Sequence, residues 1–176
     1  MNIDQNHTKA RGLIPDYMVA GVADIDFAGL YGIGIRCLVL DVDHTLVRYN
    51  TALLDDTLRD FLLAQKRAGY IEQICIASNS NRDLSSIASS IGAQTLRAGR
   101  FIKKPSRLYF GRLLKELKRE PHEVVMVGDK LLTDIWGGNR AGLLTILVNP
   151  IGPDRLFDRL LMTRWWGRRY VRRFRK

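Results

Sequence analysis

Residues 35–46 read Ile-Arg-Cys-Leu-Val-Leu-Asp-Val-Asp-His-Thr-Leu. A run this apolar and rich in branched side chains suits a strand buried on both faces of a parallel sheet. It ends abruptly in Asp41 and Asp43, with Thr45 and Leu46 just beyond. Ligands of open α/β sheets sit outside the carboxyl ends of their strands. Two acids at alternate positions there point to chemistry, because like charges at the edge of a core repel unless a cation or a shared proton relieves them. The plain alternative is a surface Asp-x-Asp turn, and the rest of the chain weighs against it.

The remainder alternates between helical and extended patterns. From Leu13 a short helix is expected, with Pro15 in its first turn and Asp16 at its positive end. Ile25, Phe27, Leu30 and Tyr31 then cover an approach to the first strand, loosened by Gly29, Gly32 and Gly34. That segment suits either the protein body or a membrane surface. Asp55 or Asp56 caps a helix that turns Leu58, Phe61, Leu62 and Ala68 inward and stops at Gly69. A strand over 71–77 follows, then a helix with Leu84, Ile87, Ala88 and Ile91 on one face, closed by Gly92. Residues 95–98 make a short strand, and Phe110, Leu113, Leu114 and Leu117 line the next helix. A strand over 123–127, a helix over 131–141 and a strand over 143–148 complete the series. Strands alternating with helices specify an α/β fold, a parallel sheet of about five strands with helices on both faces. The expected organisation is an N-terminal extension at 1–34, a core at 35–150 and a tail at 151–176.

Charge is unevenly placed. The net charge is +10 over 176 residues, and 151–176 hold nine Arg or Lys against two Asp, so this tail alone carries +7. Such a surface faces phosphate-rich material, anionic lipid or nucleic acid. The two cysteines, Cys37 and Cys75, fall within expected strands and read as buried reduced thiols. Met1 to Lys9 is polar and precedes no hydrophobic signal core, and no stretch approaches the length of a spanning helix. A cytoplasmic protein, soluble or attached to the inner face of the membrane, is expected.

Four polar clusters recur at expected strand ends: Asp41 with Asp43, Ser78 with Asn79, Lys104, and Asp129 with Asp134. Each alone is an ordinary turn or surface feature; in this order they form a set. A phosphomonoester needs an in-line nucleophile, a proton donor for the leaving oxygen and positive charge on the equatorial oxygens. Two or three carboxylates can hold Mg²⁺, which makes their closeness tolerable. A Ser hydroxyl and a Lys ammonium can hold the phosphoryl group. Lys103 competes with Lys104 for that task, and Asp134 could be a simple helix-face acid. His44 reads as a turn residue or a substrate contact, and His122 and His7 as structural or incidental.

These residues resemble the haloacid dehalogenase superfamily of aspartate-nucleophile phosphatases, whose first motif, Asp-x-Asp-x-Thr-Leu, is met by residues 41–46. The resemblance covers roughly 35–148 and implies a three-layer Rossmann-like core. It implies that Asp41 attacks phosphorus to form an aspartyl-phosphate, and that Asp43 protonates the leaving alkoxide and then activates water. Ser78, with Asn79, would bind phosphate. Lys104, whose Lys-Pro pairing matches the family pattern, would neutralise nucleophile and phosphate. Asp129 would hold Mg²⁺ with Asp41 and the main-chain carbonyl of Asp43, and Asp134 would complete or support the cluster. His44 stands where close relatives more often show Asn.

Leu13-Ile14-Pro15, Asp24-Ile25-Asp26, Lys104-Pro105 and the run from Gly128 through Asp134 to Gly142 resemble the YqeG family, which is similar to phosphatidylglycerophosphate phosphatases of mitochondria and plastids. That resemblance implies removal of the terminal phosphate from phosphatidylglycerophosphate.

Spacing adds to this. Asp41 to Ser78 leaves room for one helix and one strand, and Ser78 to Lys104 for one helix and one short strand. Neither gap holds a cap domain, so an open cleft is expected, suited to a phosphate borne on something large. The tail interleaves Leu156, Phe157, Trp165, Trp166, Tyr170 and Phe174 with arginines, a membrane-surface composition. Each basic residue near an anionic leaflet adds about 1 kcal/mol. Peripheral membrane contact through the tail is therefore expected. The alternatives are a phosphatase of soluble or nucleic-acid phosphates, and a binding protein that uses its tail on RNA or ribosomes.

Overall fold

The computed structural model describes residues 12–49, 51, 53–97, 99 and 102–152. The polar N-terminus and the basic aromatic tail beyond residue 152 lie outside the described residues.

Strand β1 (Tyr17–Val19) and helix α1 (Phe27–Gly32) lead into β2 (Cys37–Leu40), then α2 (Asp56–Arg67), β3 (Gln73–Ser78), α3 (Ser85–Ser90) and β4 (Gln94–Arg97). Helix α4 (Arg107–Leu117), β5 (Val124–Gly128), a π-helical turn (Leu131–Ile135), α5 (Trp136–Arg140) and β6 (Leu144–Val148) follow. The six strands run parallel in the order β1-β6-β5-β2-β3-β4. After β2 the chain winds outward through β3 and β4, then returns to β5 on the other side of β2. The switch point of the topology therefore lies between β2 and β5, where such sheets bind their ligands.

Alternation along the central strands sends side chains to two separate cores. Leu38, Leu40, Ile74, Ile76, Val125 and Val127 pack on one face with Phe27, Leu30, Leu62 and Ile87 from α1, α2 and α3. Cys37, Val39, Cys75, Ala77 and Met126 pack on the other with Tyr109, Phe110, Leu113 and Leu117 of α4. The result is the expected three-layer α/β arrangement with one strand more than about five. The Asp55 carboxylate caps α2 by accepting from the amides of Thr57 and Leu58, and Gly69 follows the helix at φ +79°. Ala68, expected to face inward, is exposed at the helix end.

The helix expected from Leu13 is not formed. Residues 17–19 instead add an edge strand to β6 in the register Tyr17↔Ile146, Met18↔Leu147, Val19↔Val148. Here the period is two, with Tyr17 buried and Met18 exposed. Asp16 does not sit at a helix start; its carboxylate accepts from the Thr145 amide at 2.9 Å and hydroxyl at 3.2 Å. Asn139 in α5 fixes the same segment, donating to the carbonyls of Gly12 and Ile14 at 2.8 Å each and accepting from Thr145 Oγ1 at 2.9 Å. The approach segment packs on the body, with Ile25, Phe27 and Leu30 buried, while Tyr31 stays exposed. No cap domain interrupts the chain among the described residues. Among the described residues, α2 and loop separate β2 from β3, and α3, β4 and loop separate β3 from Lys104.

Candidate active site

Strand β2 ends at Leu40, and the main chain continues the ladder one step further, the Asp41 amide donating to the Val127 carbonyl at 3.0 Å. This places Asp41 at the switch point, beside the end of β5. The loop beyond turns back tightly, with an isolated bridge between Asp43 and Val47. His44 takes the left-handed conformation there (φ +68°). That conformation favours Asn, Asp or His among residues with a side chain, which explains a turn residue at this point. Its amide bonds the Val47 carbonyl at 2.8 Å, and its own carbonyl accepts from the Ile151 amide at 2.7 Å. The ring Nδ1 lies 3.1 Å from the Ile151 carbonyl, and the ring stacks on Tyr49 at 5.7 Å.

Asp41, Asp43, Ser78, Asn79 and Lys104 all line one cleft of about 210 Å³. Lys104 is the fixed point within it. Its side chain is only 2 % exposed, and its ammonium lies 2.7 Å from Asp41 Oδ1 and 2.6 Å from Asp134 Oδ1. Burial opposes the charge on Lys104, but Asp134 and Asp41 outweigh it and raise the ammonium above the ordinary lysine range. The preference for Lys104 over Lys103 agrees with the burial, since Lys103 is exposed.

Asn79 was expected to bind phosphate. It lines the cleft, and its amide also engages the main chain of Lys104, Nδ2 donating to the carbonyl and Oδ1 accepting from the amide, both at 2.9 Å. It therefore positions the lysine. Ser78 is buried at the end of β3, and its Oγ accepts from the Ser80 amide at 3.1 Å, a bond that leaves the hydroxyl proton available to the cleft.

The acids differ in environment. Burial would push the Asp41 carboxyl up, yet the ammonium groups of Lys104 and Lys130 hold it below the ordinary carboxylate range. Asp129 moves the other way, raised by burial despite Lys130 beside it. Asp134 is fully buried, and burial dominates there too, pushing it to about 6. Asp43 is the most accessible of the four, with a side chain 16 % exposed and Oδ1 3.0 Å from Arg82 Nη2.

Carboxylate oxygens of Asp41, Asp129 and Asp134 lie within 4.8 Å of one another. Asp41 Oδ2, the Asp43 carbonyl and Asp129 Oδ1 converge on one point, now taken by the Lys130 ammonium at 3.3, 3.4 and 3.2 Å. Two carboxylates and a carbonyl around a positive centre are the oxygen donor set a hard divalent cation takes. The residues therefore fit Mg²⁺. Thr45 supports the set by donating to Asp129 Oδ1 at 3.3 Å. Asp134 stands behind it, one oxygen bonded to Lys104 and the other accepting the Lys130 amide at 3.1 Å.

Sequence reasoning missed two cations. Lys130 directly follows Asp129 in a turn read only for its acids, and its adjacency was the available signal. Arg82 offered none, because an arginine in the polar stretch Ser-Asn-Ser-Asn-Arg reads as solvated.

A family described as HAD-hydrolase-like matches residues 101–150. The chain is similar to a probable phosphatase, YqeG, of Bacillus subtilis, 28% identical over 138 residues that cover 78% of each chain. It is also 28% identical over 148 residues to the chloroplastic/mitochondrial phosphatidylglycerophosphate phosphatase 1 of Arabidopsis thaliana, covering 79% of this chain but 41% of the plant protein. Among solved structures, a HAD-like family hydrolase from Porphyromonas gingivalis shares the fold, with TM-score 0.52 and 14% identity over 73% of this chain and 98% of the other.

Proposed function

We propose that this chain, a haloacid-dehalogenase-like phosphatase related to YqeG, removes the terminal phosphate from phosphatidylglycerophosphate at a membrane surface. The observation that carries the chemistry is the convergence of Asp41, Asp43, Ser78 and Lys104 on one cleft.

In the proposed reaction an Asp41 carboxylate oxygen attacks phosphorus. The phosphorus–oxygen bond to the glycerol breaks, and Asp43 gives its proton to the departing alkoxide. The Asp43 carboxylate then takes a proton from water as that water attacks the aspartyl-phosphate, releasing inorganic phosphate and restoring both acids. Lys104 stays protonated throughout, because Asp134 and Asp41 enclose it. It offsets charge on nucleophile and phosphoryl group, and Ser78 donates its hydroxyl proton to a phosphoryl oxygen. Mg²⁺ held by Asp41, the Asp43 carbonyl and Asp129 would supply the further positive charge that the equatorial oxygens need.

Three features support a lipid as the phosphate carrier. The cleft is uncapped among the described residues. An apolar groove of about 1000 Å³ is lined by Thr45, Leu46 and Val47, from the same loop that gives His44 and Tyr49 to the cleft, together with Leu54, Leu58 and Phe61. Tyr49 and Leu53 in the loop after β2 and Leu132 in the π-helical turn after β5 stand exposed, where burying them in an interface removes apolar surface from water. The basic aromatic tail would add attraction to anionic headgroups, which favours a location at the inner membrane face.

The test is phosphate release from vesicles that contain phosphatidylglycerophosphate, with Mg²⁺ present. Wild type is expected to release phosphate, and Asp41→Asn to lower the rate by at least about 1000-fold. Rapid turnover of a DNA 3′-phosphate with no binding to anionic vesicles would transfer the activity to the nucleic-acid alternative.

A further inference from the structure

Lys104 and Lys130 both touch Asp41, yet they are built differently. Lys104 is locked, 2 % exposed and clasped between two carboxylates. Lys130 has a side chain 37 % exposed and reaches into the acidic cluster from the cleft rim, where it lines the cavity with Thr133 and Tyr49. Its ammonium meets Asp41 Oδ2, the Asp43 carbonyl and Asp129 Oδ1 at 3.3, 3.4 and 3.2 Å. Those three oxygens are the donors a divalent ion would use at this site.

We propose that Lys130 is a tethered counter-cation that fills the divalent-ion seat in the metal-free protein and withdraws its ammonium when the ion binds. The proposal rests on the reading above that a divalent ion is held by these oxygens.

Occupancy is exclusive on steric and electrostatic grounds. An ion bound about 2.1 Å from the same three oxygens takes the volume where the ammonium now sits. Two positive centres there would also repel strongly in a poorly solvated site. Withdrawal is open to Lys130 because its stem is flexible and partly exposed. Its backbone need not move, being tied through the Lys130 amide to Asp134 Oδ2 at 3.1 Å. Lys104 has no such path.

The device has a physical purpose. The cluster holds three carboxylates, Asp41, Asp129 and Asp134, and Lys104 pairs with only two of them. Lys130 supplies the second positive charge, bridging Asp41 and Asp129, so the folded site tolerates metal loss. The consequence is a weakened apparent affinity, because ion binding must first displace a bound cation. The site would therefore load only when the divalent ion is plentiful.

The test titrates Mg²⁺ into wild type, Lys130→Met and Asp129→Asn by calorimetry, with melting temperatures measured in EDTA and in saturating Mg²⁺. Lys130→Met is expected to bind Mg²⁺ at least about tenfold tighter than wild type, one decade in Kd. It should melt lower than wild type in EDTA and gain more from Mg²⁺. A purely structural lysine would lower the melting temperature equally in both conditions and leave Kd unchanged, which would overturn the proposal.

A second measurement needs no variant. Acylation of Lys130 in wild type by an N-hydroxysuccinimide ester, mapped by mass spectrometry, should speed up at least about threefold on adding Mg²⁺, while Lys104 stays unreactive. An unchanged or slower Lys130 rate would overturn the proposal even if Lys130→Met failed to fold. Unchanged Kd in Lys130→Met, with binding abolished in Asp129→Asn, would remove Lys130 from the account and leave the metal site standing. If neither wild type nor Lys130→Met bound Mg²⁺, both readings would fall. Turnover that persisted in EDTA and vanished in Lys130→Met would also contradict it, making Lys130 a permanent replacement for the ion.

Discussion

Lys104 decides more of the site's energetics than any other residue, because it is a buried charge whose two partners are also buried. Removing one member of such a pair leaves uncompensated charge in the interior and costs about 3–5 kcal/mol. Lys104→Met should therefore lower unfolding free energy by that order, and adding Asp134→Asn should recover at least about 1 kcal/mol by removing one stranded carboxylate. Urea unfolding of the single and double variants checks this; a double variant weaker by the simple sum would contradict it. The cysteines respond to burial in the opposite sense. Burial raises both thiols from 9.0 to about 12. Between those values the unfolded chain loses thiol protons and the folded chain keeps them, so these groups stabilise the fold below about pH 9 and lose that contribution as pH rises toward 12. Native protein at pH 8.5 should react with iodoacetamide only as fast as it unfolds, and alkylation that outpaced unfolding would contradict it. Asp41, Asp43, Ser78 and Lys104 were legible in the sequence because each follows an apolar run or precedes a helix, where a charge is conspicuous. Lys130 and Arg82 were not, since a long cation in a polar turn gives no sign of whether it bends inward.

Among the elements, the central strands could be read because their apolar runs have no exposed face, as in β2 and β5, where all residues are buried. Strand β1 could not. Three residues with one inward side chain carry too little periodicity to compete with a Pro-Asp helix-start signal, and its pairing depends on Thr145 and Asn139, more than 120 positions away. That polar clamp makes β1 a separable element. Asn139→Ala removes two bonds to the Gly12 and Ile14 carbonyls and the nearer of the two acceptors of the buried Thr145 hydroxyl, the other being Asp16, an expected loss of about 1–3 kcal/mol. Hydrogen exchange should show faster amides over 17–19 while 37–40 and 124–128 keep their protection. Equal loss of protection in all three strands would mean that β1 is integral to the core and not clamped onto it.

At the scale of the whole molecule, one topological fact organises the chemistry. The sheet reverses between β2 and β5, which brings the ends of two distant segments together, so carboxylate oxygens of Asp41 and Asp129 lie within 4.8 Å of each other although the two residues are 88 positions apart in the chain. Short connections leave the resulting cleft uncapped among the described residues, and that openness, joined to the charge of the tail, favours a phosphate carried on a lipid. The covalent step at Asp41 is the claim on which the rest stands. Its direct measurement is a rapid acid quench of enzyme, Mg²⁺ and phosphatidylglycerophosphate vesicles, followed by borohydride reduction and peptide mass spectrometry. The account predicts reduction of a phosphorylated side chain at Asp41 alone, converting it to homoserine, and no such product in Asp41→Asn. Reduction at another residue, or sustained phosphate release with position 41 never modified, would contradict it.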